Sequence, residues 1–218
     1  MRGPALTAAL SAALVLAMAM AGSSAFAGAA PNGADSDVCA RAATEAEAAL
    51  GLPAQLLGAI ALAETGRWDA ARKASFAWPW TVTAGGKARY LPGKAEAIAE
   101  VAALRARGVS NIDVGCMQIN LHYHADAFAS LAEAFDPAAN AAYAGGFLLR
   151  LQDRHRSWSR AIATYHSSTR AFALPYLKRV QRLWIAERRR VALAEREARL
   201  AEYAERKAAR AVLAQVAD

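Results

Sequence analysis

The sequence predicts a mainly α-helical protein with a small β-hairpin or irregular loop region, extended by a C-terminal helix. Three observations carry this. The composition is rich in Ala, Leu and Arg, with few β-branched segments, which favours helix. Apolar residues recur three and four positions apart through most of the chain. Two stretches, 76–93 and 109–121, break that period with aromatic and β-branched residues and glycines.

Taken in order, residues 1–27 read as a secretory signal. Arg2 opens it, and the apolar stretch from Ala5 to Met20 is interrupted only by Thr7 and Ser11. Ala25, Phe26 and Ala27 form an A-x-A cleavage pattern. The apolar stretch is short for a membrane span, no second one is long enough, and no Cys follows the cleavage site. The mature chain is therefore expected not to be an integral membrane protein; an uncleaved anchor is the alternative. Residues 28–36 are small and polar and read as a flexible leader, 37–185 as the folded domain, and 186–218 as a charged C-terminal helix or tail.

Ser36 or Asp37 suits the cap of a first helix that runs to about Leu50 and ends at Gly51. Pro53 suits the first turn of the next helix, which ends near Gly66. Residues 76–83 then read as a strand, Gly85 and Gly86 as a turn, and 87–91 as a returning strand. A helix is expected over 94–107, with Ile98, Val101 and Leu104 on one face, ended by Gly108. Residues 109–121 read as a short strand with a turn. Helices are expected at about 124–133, 137–153 and 157–166, and from near Pro175 onward; Asp136 followed by Pro137 is a strong helix start. The tail has no Gly or Pro and carries Glu195/Arg199 and Glu202/Arg206 at i,i+4 spacing. Its apolar stripe, Leu193, Leu200 and Tyr203, is thin, so it reads as a solvated helix or one docked on a partner.

The net charge of +7 suits an anionic partner such as a wall polymer or a membrane surface. Export argues against nucleic acid. Two cysteines in an exported chain, Cys39 and Cys116, suit a disulfide; two buried, inert thiols are the alternative. The four histidines lack the compact spacing of a metal site, so no metal and no cofactor are expected.

Glu64 is the most informative residue. It shares a helical face with Leu56, Leu57 and Ile60, so a carboxylate stands where the pattern calls for a hydrophobe. Burial raises a carboxyl pKa, and a carboxyl protonated near neutral pH is a general acid. A buried, paired structural Glu is the alternative.

Three segments accompany it: Ala63-Glu64-Thr65-Gly66, then Asp113-Val114-Gly115-Cys116-Met117-Gln118-Ile119-Asn120, then Ala163-Thr164-Tyr165-His166. Together, in this order, they resemble the lytic transglycosylases with a soluble-lytic-transglycosylase domain. The likeness is greatest to the branch that serves secretion, conjugation, pilus and flagellar machinery, and it covers about residues 39–184. It implies a lysozyme-like helical domain related to goose-type lysozyme, a periplasmic location and peptidoglycan glycan strands as substrate. By this resemblance Glu64 protonates the glycosidic oxygen between N-acetylmuramic acid and N-acetylglucosamine. It then takes the proton of the muramyl C6 hydroxyl as that oxygen closes onto C1, giving a 1,6-anhydro product with no second protein carboxylate.

The resemblance also implies that Thr65, Gly115, Met117, Gln118, Tyr165 and His166 line the substrate groove, with Tyr165 orienting Glu64; the alternatives are a Gln118 that satisfies the core and a Tyr165 that is a core aromatic with a satisfied hydroxyl. The sequence departs from the wider family at Thr65 (Ser there), Cys116 (Leu) and His166 (Asn). It also has about twice the usual spacing between Glu64 and Gly115. The extra residues include Trp78, Pro79 and Trp80; the two Trp faces are read as a sugar-stacking lip or as a hydrophobic lid over the core. Asp113 is read as a turn-forming residue, with a direct catalytic role as the alternative. The C-terminal helix is read as an address for a rod, pilus or secretion component, with contact to anionic wall polymer through Arg188, Arg189 and Arg190 as the alternative. The competing functional readings are a non-catalytic wall-binding scaffold and a lysozyme-type hydrolase.

Overall fold

The computed structural model describes residues 33–216, and side chains over 37–210. The expected signal, 1–27, lies outside the described residues. The chain is mainly helical with two small sheets. Helix α1 (Gly33–Leu50) starts earlier than the sequence indicates, so residues 33–36 of the expected leader are helical. It ends at Gly51, which takes a left-handed φ of 63°.

Helix α2 (Leu56–Thr65) carries Glu64. Pro53 does not open it; the helix begins three residues later, after Gln55 at φ 62° with no side-chain cap of its own. The capping acceptor comes from α1. The buried Glu47 carboxylate accepts the N–H groups of Gln55 (2.7 Å), Leu57 (2.6 Å) and Gly58 (3.2 Å). Those donors have no partner within a helix, and a carboxylate at a helix N-terminus also meets the positive end of its dipole. Burial still outweighs these bonds and raises the Glu47 pKa.

The chain then forms a hairpin that the sequence does not announce, β1 (Gly66–Asp69) antiparallel to β2 (Ala74–Ala77). The expected hairpin follows: β3 (Thr81–Ala84) pairs with β4 (Lys87–Tyr90) around Gly85 and Gly86, both at positive φ. After α3 (Lys94–Ala106), β5 (Ile112–Val114) and β6 (Ile119–Asn120) complete a sheet of order β4-β3-β5-β6. The helix expected at 124–133 is instead a single turn, α4 (Leu131–Ala134). The reason is local: the Asn120 side-chain Oδ1 accepts the N–H groups of His122 and Tyr123, 3.0 Å each, and an Asx turn competes with helix there.

Helix α5 (Pro137–His155) starts as expected on Asp136, whose carboxylate accepts the Ala139 N–H at 2.9 Å. Helix α6 (Trp158–His166) is capped by Ser157. Helix α7 (Arg170–Val216) starts five residues before Pro175, which lies inside it, and runs unbroken through the expected domain boundary at 186. Its 47 residues span about 70 Å. From residue 192 to 210 every residue is exposed, Leu193, Leu200 and Tyr203 included. None of the described helices is long and apolar enough to cross a membrane.

Two cores divide the body. The helical one gathers Leu56, Leu57, Ile60, Met117, Leu148, Ile162 and Val180. The second joins the sheet to α3 and α4 through Val82, Val101, Ile112, Val114 and Phe135. Cys39 and Cys116 form a disulfide across 77 residues, Cα atoms 5.6 Å apart. It ties α1 to the turn between β5 and β6.

Candidate active site

A cleft of about 730 Å³ opens between the two lobes. Glu64 reaches it from the last turn of α2, Thr83 and Asp113 from the sheet, Tyr165 and His166 from α6, and Phe172, Tyr176 and Arg179 from α7. Tyr123, 74% exposed, and Phe172, 63% exposed, stand at its mouth.

Glu64 is half-buried, with protein packed around its carboxyl and one side facing the cleft. Burial raises its pKa to about 7. The Tyr176 hydroxyl pulls it down by favouring the anion, the Asp113 charge pushes it up, and Arg179 pulls it down. Tyr176 is buried, and among the described residues its hydroxyl meets no partner in good hydrogen-bond geometry. It therefore keeps a proton to donate as the carboxyl becomes anionic.

Asp113 is not in a turn. It sits in the middle of β5, its carboxylate accepting the Asn120 side-chain N–H at 2.7 Å, and it lines the cleft. Burial raises its pKa, while the Asn120 bond and the His166 charge lower it. His166 stacks on the Tyr176 ring, centroids 4.5 Å apart and planes 7° apart. Burial lowers its pKa; Asp113 opposes that shift and Arg179 adds to it.

Several residues expected in the groove serve the frame instead. Thr65 is fully buried, its hydroxyl within 3.1 Å of both the Ala61 and Cys116 carbonyls. It fixes the end of α2 to the disulfide-bearing turn, one residue from Glu64. Met117 is wholly in the core; its N–H donates to Asn140 Oδ1 at 2.9 Å, and its carbonyl accepts the Tyr165 hydroxyl at 2.8 Å. Tyr165 thus lines the cleft with Glu64 while its hydroxyl donates to the Met117 carbonyl. Burial, with the charges of Glu64 and Asp113, raises its pKa well above the usual 10.

Gln118 lines the cleft, but its amide is engaged within the protein. Its oxygen accepts the Thr83 hydroxyl at 2.5 Å, and its N–H groups donate to Thr81 (3.2 Å) and Gly115 (3.0 Å) carbonyls. Gly115 is absent from the cleft wall. It takes φ 79°, and a Cβ there would lie 2.6 Å from the Asn140 amide. The close approach that glycine permits is to Asn140, not to a ligand. Trp78 and Trp80 form no lip. Trp78 is 3% exposed and donates from Nε1 to the Leu91 carbonyl at 2.8 Å, and Trp80 packs against the second core.

Sequence reasoning missed Tyr176, Arg179 and Asn140. Tyr176 shares a buried face of α7 with Ala173 and Val180, so its spacing marks it as core. Asn140 is fully buried and binds the Met117 N–H and the Val114 and Ala134 carbonyls. No sequence signal marks it beyond an amide in an apolar helix face. Among the described residues, no group of three or more His, Cys, Asp or Glu is placed to hold a metal ion.

Compared with protein-family models, curated proteins and solved structures, the chain matches none.

Proposed function

We propose that the protein is an exported lytic transglycosylase with a lysozyme-like domain, cleaving peptidoglycan glycan strands in the periplasm and opening the wall for an envelope-spanning machine. One observation carries the reading: a carboxyl with a pKa of about 7 faces an open cleft between two lobes. Near neutral pH a large share of Glu64 holds its proton, as a general acid must. In the reaction Glu64 donates that proton to the glycosidic oxygen. Its anion, favoured by Tyr176 and Arg179, then removes the proton from the sugar C6 hydroxyl as that oxygen bonds to C1. Acid and base are one group, so the cycle closes without water.

A hydrolytic second reading is favoured by Asp113. It is a second carboxyl on the same cleft, and paired carboxyls flank the bond in hydrolytic glycosidases. The test of either catalytic reading is dye release from labelled, purified peptidoglycan. The mature protein is expected to release dye, and Glu64→Gln to fall by at least a hundredfold while still pelleting with the wall. Equal release by both proteins would remove Glu64 from the chemistry, and wall binding without release by either would favour the scaffold reading.

A further inference from the structure

A second hollow, of about 290 Å³, adjoins the cleft. Leu62, Gly66, Ser75, Arg179, Arg182 and Leu183 line it, and Arg179 also borders the cleft, so the two share a wall. Arg179 and Arg182 are exposed and form no ion pair among the described residues. From 170 to 186, α7 carries Arg170, Lys178, Arg179 and Arg182 and no acidic residue, so no carboxylate of the helix lies within four positions of Arg179 or Arg182. Gly66 helps to shape the hollow: a Cβ there would run into the Leu62 carbonyl, so β1 can leave α2 at this angle only with glycine.

We propose that this side pocket takes the carboxylate-bearing peptide branch of the glycan, so that the protein selects peptide-substituted strands over bare ones. The inference rests on the glycan-cleaving reading of the cleft. Two exposed guanidinium groups match a carboxylate through paired N–H donors. Leu62 and Leu183 offer apolar contact to a small aliphatic side chain, and the Ser75 hydroxyl can bond an amide. A strand lying in the cleft past Glu64 needs only a short branch to reach a hollow that shares Arg179.

Occupancy also acts on the acid. Arg179 favours the Glu64 anion, and a carboxylate bound to Arg179 offsets that charge and favours the protonated acid. The other groups acting on Glu64, Asp113 from β5 and Tyr176 from α7, lie outside the side pocket.

The test is calorimetric binding by Glu64→Gln, which leaves the ligand intact. The probes are a soluble glycan oligomer carrying its peptides and the same oligomer with the peptides removed. The peptide-bearing oligomer is expected to bind about tenfold more tightly. In Glu64→Gln combined with Arg182→Glu, the ratio between the two oligomers falls to near one. Equal binding of both oligomers to Glu64→Gln overturns the side pocket and leaves the glycan reading standing. A preference that survives Arg182→Glu also overturns it. Failure to bind either oligomer overturns both.

Discussion

Replacing Glu64 with Gln removes one titrating group and keeps the shape of the side chain, so it isolates the energetic cost of the acid. The folded-state pKa of about 7 stands against an ordinary value of 4.5. Each unit of difference is worth about 1.4 kcal/mol. The sign follows from proton binding. The folded protein holds the Glu64 proton more tightly than the unfolded chain does, so this group's contribution is fully present below pH 4.5 and is lost as pH rises to 7. Above pH 7 the native state carries a desolvated anion that costs about 3 kcal/mol relative to the unfolded chain.

Glu64→Gln is therefore expected to match the parent protein in stability at pH 4 and to exceed it by about 3 kcal/mol at pH 8. In thermal unfolding the pH 8 gap corresponds to roughly 6–12 °C for a domain of this size. Asp113 and His166 titrate in both proteins and largely cancel in the difference. A difference independent of pH, or a Gln variant less stable at pH 8, would refute the reasoning, since either means that the folded protein welcomes the anion.

Tyr176→Phe removes the hydroxyl that favours the Glu64 anion, so the alkaline limb of the pH–rate profile should move to higher pH; an unmoved limb in a folded variant would show that the two groups do not interact. Gly115→Ala sets a Cβ against Asn140 at a left-handed φ, and should cost about 1–3 kcal/mol in denaturant unfolding, whereas Gly85→Ala, with open space around it, should cost less. Tyr123→Ala should raise KM for glycan several-fold with kcat little changed, because the ring stands exposed at the cleft mouth, edge-on to His122, where it can meet a sugar face without reaching Glu64.

Much of the fold is legible in the sequence where local chemistry and tertiary packing agree. Asp136 and Pro137 start α5 because cap and fixed φ act within four residues. Gly85 and Gly86 announce their hairpin because the turn needs positive φ at both. The β1–β2 hairpin is silent because its turn runs through Ala71, Arg72 and Lys73, with Lys73 at φ 50° and no glycine to mark it. The Asp69 carboxylate organises that turn by accepting the Ala71 and Arg72 N–H groups at 2.9 and 3.1 Å.

The site divides in the same way. Glu64 is visible because a carboxylate on an apolar helix face violates the helical pattern. Tyr176 and Arg179 are invisible because what matters is their distance from Glu64, more than a hundred residues earlier, and helix periodicity carries no record of that. Gly115, Met117 and Gln118 stand beside the acid in sequence pattern, and in space they hold its frame through Asn140, Tyr165 and Thr83.

The measurement that bears most directly on Glu64 as a lone acid and base is mass spectrometry of the products from purified peptidoglycan. Muropeptides ending in 1,6-anhydro-N-acetylmuramic acid, absent with Glu64→Gln and present with Asp113→Asn, are the expected result. Products heavier by one water, lost equally with Asp113→Asn, would contradict it and make the protein a two-carboxyl hydrolase.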